Sequence, residues 1–533
     1  MAQALDEPVV VCVTSGSALL NVLPAVAEAH YQHHSLIVVS ADRPAAWIDQ
    51  LDGQTLRQPG TLEPWVAVSV NLPEVGKDRV GDASSVSPQL RDEQRWHCNR
   101  LVNEALIEAT GEQRHCVHIN IPISEPLFSF TTPQLPEERV IRRYAPLPDY
   151  DCLCSDLVEG LLRAERPMIV FGQMARGRFT PGTADYLFSH VIVLHESLAD
   201  FPSLCHADEV LARGESSDLL PDFVIYVGDA IVSKRVKQFL RKAEDALVWR
   251  ISLTGQVEDT FQNLRGIMVG DAEFVLQSLS NKLSKAYGTF PKASATAYRR
   301  KWLGLLRQAA QTAETFSPPY SQMAAVKCFE QSVRGVPDCC VHYANSSAIR
   351  LANIFAAHHV CCNRGVNGIE GSLSTAVGHA VALSTTIGAV TVPARTPDVF
   401  SSPVHLPLVF CVIGDLSFFY DQNALWNQNL TPNLRILLLN NGKGGIFDGL
   451  PGLGASAARD TIVSGSHNTT AEGICHQNGI DYLCANDATM LEQGMAWLTS
   501  CPTDRVRLLE VFTEAENDRT ALNDYFSRST SEM

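Results

Sequence analysis

Two apolar runs of strand length, each closed by a short polar cluster, set the kind of sheet this chain can build. Residues 408–413 read Leu-Val-Phe-Cys-Val-Ile and lead into Gly414-Asp415; residues 434–439 read Leu-Arg-Ile-Leu-Leu-Leu and lead into Asn440-Asn441-Gly442. A helix-length segment joins them, which predicts a βαβ unit with parallel strands. Both polar clusters then open on one sheet edge, where ligands bind in open α/β sheets. Asp415 offers a carboxylate there and Asn441 an amide oxygen. These are hard donors of the kind Mg2+ takes alongside phosphate oxygens and water. Gly414 and Gly442 let a phosphate approach the backbone closely. Asp415 could instead only cap the next helix, and Asn441 only turn the chain. The whole unit at this spacing favours a metal–diphosphate site.

The length of 533 residues predicts roughly three or four domains. An apolar content of 45% is ample for several cores, and 19% charged residues argues against disorder. The net charge of −16 excludes a broad nucleic-acid surface, so an anionic substrate would need locally concentrated Arg and Lys. Of the 15 cysteines, most sit in apolar runs (Cys12, Cys116, Cys411) or adjacent pairs (Cys339-Cys340, Cys361-Cys362), and none has CxxC spacing. That pattern predicts reduced thiols in a cytoplasmic enzyme. No apolar run reaches membrane-spanning length, and Asp6 and Glu7 ahead of a short strand do not make a signal peptide.

The chain is expected to open on a buried strand at 8–13, followed by Thr14-Ser15-Gly16-Ser17, a helix to about His30 and a strand at 36–40. A further strand is predicted at 116–121, and the Pro- and charge-rich stretch 131–150 reads as a linker. Strands at 167–171, 191–195, 223–227 and 246–252 predict a second, smaller parallel-sheet domain. Residues 288–320 read as a connector, helical over 298–314. The third α/β domain runs to the end, with a Pro- and Ser-rich surface insert at 390–405. The expected domains are therefore 1–130, 151–287 and 321–533, all α/β with parallel sheets flanked by helices.

Several constellations could carry chemistry. Residues 363–376 form a Gly-rich turn, with Gly365, Gly368 and Gly371, running into a small-residue helix; Ile369 stands between glycines as an apolar wedge. Such a turn suits a cofactor cradle. Arg350, Arg364 and Lys234 with Arg235 are candidate anion contacts. Residues 442–447 place three glycines before Ile446 and Phe447, which reads as a lid able to exclude water. His30, His33 and His34 could share a helix face and bind zinc, but helix-end cations are the better reading. The loop at Gly172 and Gly177 is not GxGxxG, so a nicotinamide cofactor is discounted.

Taken together, these residues resemble the thiamine diphosphate (ThDP) enzymes. Gly414-Asp415 through Asn440-Asn441 resembles the metal–diphosphate motif of that superfamily. A more specific set resembles the 2-succinyl-5-enolpyruvyl-6-hydroxy-3-cyclohexene-1-carboxylate (SEPHCHC) synthases of menaquinone biosynthesis, and it spans essentially the whole chain. It comprises Asn345-Ser346 with Arg350, residues 363–371, Gly414-Asp415-Leu416-Ser417, and Ile446-Phe447, with Lys234-Arg235. Residues 13–16, 41–44 and 54–60 complete it.

The resemblance implies three α/β domains: pyrimidine-binding, central and diphosphate-binding. It also implies a homodimer or dimer of dimers with the active site between subunits. The implied reaction is attack of the ThDP ylide on 2-oxoglutarate, loss of CO2, and 1,4-addition of the resulting carbanion to isochorismate. Asp415, Asn441 and a main-chain carbonyl at Lys443 are implied to hold Mg2+ or Mn2+. Gly368, Ile369, Gly414, Leu416 and Ser417 are implied on the cofactor, with Ile369 holding it bent. Gln54, Lys234, Ser346, Arg350, Arg364, Ile446 and Phe447 are implied on the substrates. The family also carries, ahead of its Val-Thr-Ser-Gly strand, a glutamate that hydrogen-bonds the aminopyrimidine ring and a Ser-Arg pair that binds substrate. Residues 1–5 correspond to the end of the helix after that glutamate, so no catalytic residue is assigned here. The expectation is a chain begun at an internal methionine, with little or no carboligase activity as it stands. Two alternatives are another ThDP carboligase or decarboxylase, of the acetohydroxyacid synthase type, and a ThDP-binding protein without catalysis.

Overall fold

The computed structural model describes residues 1–74, 88–124, 133–144, 150, 154–180, 182–201, 205–214, 216–285, 290–389, 406–449, 453, 456, 458–501 and 504–531. The expected insert at 390–405, and both 131–132 and 145–149 of the expected linker, lie outside them. The chain divides into two compact units, Met1–Leu147 and Pro148–Met533.

The first unit holds a parallel sheet of four strands: β1 (Val9–Val13), β2 (Leu36–Asp42), β3 (Val68–Asn71) and β4 (Val117–Pro122), ordered β1-β2-β4-β3. The expected burial of the first strand is corrected. β1 lies at the sheet edge and alternates between half-buried and exposed residues, with Val10 and Cys12 exposed. An apolar run alone cannot tell a central strand from an edge strand. The single helix expected to about His30 is two, Ser17–Asn21 and Leu23–Tyr31. Because the second ends at Tyr31, and His33 has a positive φ of 54°, the three histidines do not share a helical face.

The second unit holds two parallel sheets of five strands. One contains β5 (Pro167–Phe171), β6 (Ile192–His195), β7 (Phe223–Val227), β8 (Leu247–Ser252) and β9 (Leu264–Val269), ordered β6-β5-β7-β8-β9. β5 and β7 are buried along their whole length, as their unbroken apolar runs require. The helix Ala293–Thr315, expected as a connector, is part of this core: Tyr298, Trp302 and Ala309 pack with Val224 and Phe239.

The other sheet contains β10 (Cys340–Tyr343), β11 (Val409–Gly414), β12 (Leu434–Asn440), β13 (Asp481–Ala485) and β14 (Arg507–Phe512), ordered β10-β11-β12-β14-β13. Gly414 pairs with Leu439, so the residues just beyond the two strands emerge on one edge. β10 turns into the helix Ser347–Phe355 through Ser346, whose φ of 75° and ψ of −126° nearly repeat those of Gly16 (83°, −137°) between β1 and its helix. The two strand-to-helix turns have the same backbone shape, although one uses glycine and the other serine. Among the described residues, no helix is long and apolar enough to cross a membrane.

Candidate functional site

The edge predicted from β11 and β12 gathers Asp415, Asn441 and their neighbours. Asp415 is buried, and its carboxylate accepts the N–H of Leu416 at 2.7 Å and of Gly442 at 2.8 Å. Burial raises its pKa above the usual carboxylate range, opposed by those N–H groups and by His467. The helix Asp415–Tyr420 begins at this residue, so Asp415 serves a helix start and a polar site together. Asn441 donates its amide to Asp518 at 2.9 Å, and among the described residues its Oδ1 accepts a long contact of 3.4 Å from the N–H of Lys443. The orientation of the amide is thereby set, with the oxygen left as donor for a cation. The Lys443 carbonyl accepts from Gly445 at 2.9 Å. A carboxylate, an amide oxygen and a carbonyl form a hard, all-oxygen set of the kind Mg2+ prefers.

His467 belongs to this cluster and was not anticipated. Its Nδ1 accepts from Thr469 at 3.1 Å; its Nε2 is buried without a hydrogen-bond partner, 3.4 Å from the Asp415 carboxylate. A Cβ on Gly442, which has φ 73°, would stand 2.8 Å from the His467 carbonyl, so the crossing there requires glycine.

The Gly-rich turn lies beside this cluster. Asn345 donates to the carbonyls of Asn363 and Gly368, at 2.5 and 2.6 Å, and so closes the turn on itself. Ser417 donates to the carbonyl of Ile369, which ties the turn to the helix that Asp415 begins. Gly414 has open space where a Cβ would be. The lid segment forms a short 3-10 turn, Gly445–Gly449, in which the Phe447 ring folds back over Gly444. Ile446 and Phe447 are both half-buried.

Of the candidate anion contacts, Arg350 and Arg364 come together, with Arg235 near Arg350. Arg364 donates to Asn345 at 3.0 Å, and its Nε is buried without a hydrogen-bond partner. Arg350 is held below the usual arginine range by burial and by the positive charge of Arg364. Lys234 is the exposed first residue of the helix Lys234–Arg241, capped by Ser233. Arg235 pairs with Asp208 at 2.5 Å and lies over the Phe526 ring. One turn on, Lys237 donates to the Ile231 carbonyl at 3.1 Å; its pKa is lowered by burial and by Arg364 and Arg350. Glu196 faces this group, and burial pushes its pKa up to about 7 although Val232 and Ser233 donate to it. Lys237 and Glu196 carried no sequence signal, because only the packing of one sheet on the other brings them to Arg364. Three mutually repelling cations held in a partly buried place favour a polyanion.

In the first unit three of the quoted motifs meet. The N–H of Gly16 donates to Gln58 at 2.7 Å, and Gln58 donates in turn to the Ala41 carbonyl and to Asn120. A Cβ on Gly16 would stand 3.3 Å from the backbone of Gln54, which is exposed and has a φ of 56°. Ser40, His118 and Asn120 continue the network in the interior, and burial lowers the His118 pKa to about 4.

Residues 1–61 match the model of the thiamine pyrophosphate enzyme N-terminal TPP binding domain. A SEPHCHC synthase from Bacteroides thetaiotaomicron is 39% identical over 539 residues, covering 98% of this chain and 87% of its own length. The chain belongs to the SEPHCHC synthase family. A SEPHCHC synthase from Porphyromonas gingivalis is 32% identical and covers 99% of this chain. An X-ray structure assigned to the thiamin diphosphate-dependent enzymes, from Mycobacterium smegmatis, aligns with a TM-score of 0.63 over 96% of this chain and 89% of its own; at 17% identity it shows the shared fold. Membership makes the chain an α/β ThDP enzyme, and the oxygen donors at Asp415 and Asn441 fit the metal–diphosphate end of that cofactor. This synthase family assignment and the clustered cations agree in their demand for anionic ligands.

Proposed function

We propose that this chain carries the cofactor and substrate machinery for decarboxylation of 2-oxoglutarate and 1,4-addition of the remaining four-carbon unit to isochorismate, giving SEPHCHC and CO2. The observation that carries the reading is the relationship to SEPHCHC synthases over 98% of this chain, joined to the Arg350, Arg364 and Lys237 group in the same compact unit as Asp415 and Asn441. Both substrates are dicarboxylates, which an acidic protein can hold only with such local cations.

When bound, ThDP supplies the nucleophilic carbon for the keto group. Asp415, Asn441 and the Lys443 carbonyl hold the divalent metal, Mg2+ or Mn2+, on its diphosphate. Gly368, Gly414, Leu416 and Ser417 border the cofactor, and Ile369 props it from the turn that Asn345 and Ser417 fix. Arg364 and Arg350 orient substrate carboxylates, with Lys234, Ser346 and Gln54 as further contacts. Ile446 and Phe447 exclude water from the reacting end. Glu196, with its pKa near neutrality, holds or releases a proton beside Arg364.

The domains are read as pyrimidine-binding (1–130), central (151–287) and diphosphate-binding (321–533). The working form is a cytoplasmic homodimer or dimer of dimers, with the site shared between subunits. The test uses a full-length version, supplies ThDP, magnesium and both substrates, and follows CO2 release and isochorismate loss. Arg350→Ala and Arg364→Ala are each expected to lower kcat/KM by about a hundredfold or more while ThDP binding is kept. Turnover of pyruvate in preference to 2-oxoglutarate would instead favour a different carboligase.

A further inference from the structure

The second unit contains a cluster that neither the cofactor site nor the substrate contacts use. Cys340 and His342 alternate along β10 and so point to one face, towards the helix Ser372–Ala389, which carries His379. Cys361 lies beside them: its N–H donates to the Val341 carbonyl and its carbonyl accepts from Tyr343, both at 2.9 Å, in a parallel bridge at the sheet edge. The two sulfurs are 3.8 Å apart, Cys340 Sγ is 3.6 Å from His379 Nδ1, and His342 Nε2 is 2.9 Å from the same nitrogen. All four ligand atoms lie within 4.8 Å of one another, and all but Cys340 are buried.

A tetrahedral zinc with Zn–S of about 2.3 Å and Zn–N of about 2.0 Å sets edges of about 3.8 Å for S–S, 3.6 Å for S–N and 3.3 Å for N–N. The S–S edge and the Cys340–His379 edge match the structure, the nitrogen pair needs to open slightly, and the remaining edges are within 4.8 Å. We propose that Cys340, His342, Cys361 and His379 form a closed Cys2His2 site for a structural zinc ion. Zinc takes cysteine as thiolate and histidine as neutral imidazole, so loading the site releases protons.

The position gives the ion a task. Cys361 precedes the Gly-rich turn by two residues, and His379 follows it in the helix that begins at Ser372. One ion would therefore fasten both ends of residues 363–371 to the outer strand of the sheet. All four positions come from protein, so no coordination site is open for catalysis. The spacing 340, 342, 361, 379 matches no short motif, because strand, bridge and helix each contribute.

The experiment uses the full chain expressed with zinc in the medium, purified under reducing conditions and dialysed against EDTA. Elemental analysis is expected to find about one zinc per chain. Asp415→Ala should keep it, and Cys361→Ala should lose it. Should the cysteine variant fail to fold, cobalt(II) added to the metal-depleted native chain reports instead. Tetrahedral cobalt gives strong visible bands and thiolate charge-transfer absorption, the latter falling to about half in Cys340→Ser. Zinc below about one-tenth equivalent together with no thiolate–cobalt absorption would overturn the site. A mass two hydrogens lower, from a Cys340–Cys361 disulfide in the native chain, would do the same.

Discussion

Ser346 sits in a backbone region that residues with a side chain seldom enter, with φ 75° and ψ −126°. The equivalent turn in the first unit uses glycine, so the serine keeps its hydroxyl at a conformational cost. Ser346→Gly is expected to raise stability by about 1 kcal/mol, read as a higher urea midpoint, while lowering kcat/KM for the dicarboxylate substrates. An unchanged rate would remove the hydroxyl from the substrate contacts. At Asp415 the expectation is sharper. Asp415→Ala should abolish metal-dependent ThDP binding in calorimetry, since it removes the carboxylate held at this edge by the N–H of Gly442. Gly16→Ala should strain its positive φ and press on Gln54 from 3.3 Å, costing about 1–2 kcal/mol in a thermal melt of the chain.

At the scale of elements, the sequence was most informative where burial was uniform. β5, β7 and β11 are almost wholly apolar, β12 is so apart from the buried Arg435 and its terminal Asn440, none has an exposed residue, and their positions were legible to within a residue. β14 was not, because Glu510 interrupts it. That carboxylate is fully buried and is satisfied by Asn440, Ala471 and Tyr482, partners that only the folded sheet supplies. β9 and β13 are edge strands with half-exposed residues, and β10 is four residues long with a histidine in it. The same division holds for the site. Asp415 and Asn441 were legible because strand register alone sets them, whereas His467, Lys237 and Glu196 arrive from distant segments. The helix Lys234–Arg241 offers a test at this scale. Its cap, Ser233, accepts from Val236 at 3.0 Å and donates to Asp208, so Ser233→Ala should cost about 1 kcal/mol in denaturant unfolding.

At the scale of the whole molecule, each compact unit contains a buried histidine held neutral. Burial lowers His118 in the first unit and His195 in the second to about 4 from 6.5. Above pH 6.5 neither state of the chain takes up these protons. As the pH falls below that value the unfolded chain binds them and the folded chain does not, until about pH 4. Stability is therefore lost across that window, by about 3 kcal/mol for each group. His118→Gln should flatten the acid side of a plot of melting temperature against pH; an unchanged slope would show that His118 titrates normally in the fold.

The brace on the metal cluster comes from the last helix, Ala515–Ser531. Its Asp518 accepts from Asn441, from Thr513 and from the N–H of Gln322 at the start of another helix. Synthesis on the ribosome proceeds from the N-terminus, so β11, β12 and the residues beyond them emerge long before Asp518 is made. During that interval the Asn441 amide has no carboxylate to fix its rotation. The direction in which the Asn441 oxygen faces is therefore fixed only once the helix that carries Asp518 is in place.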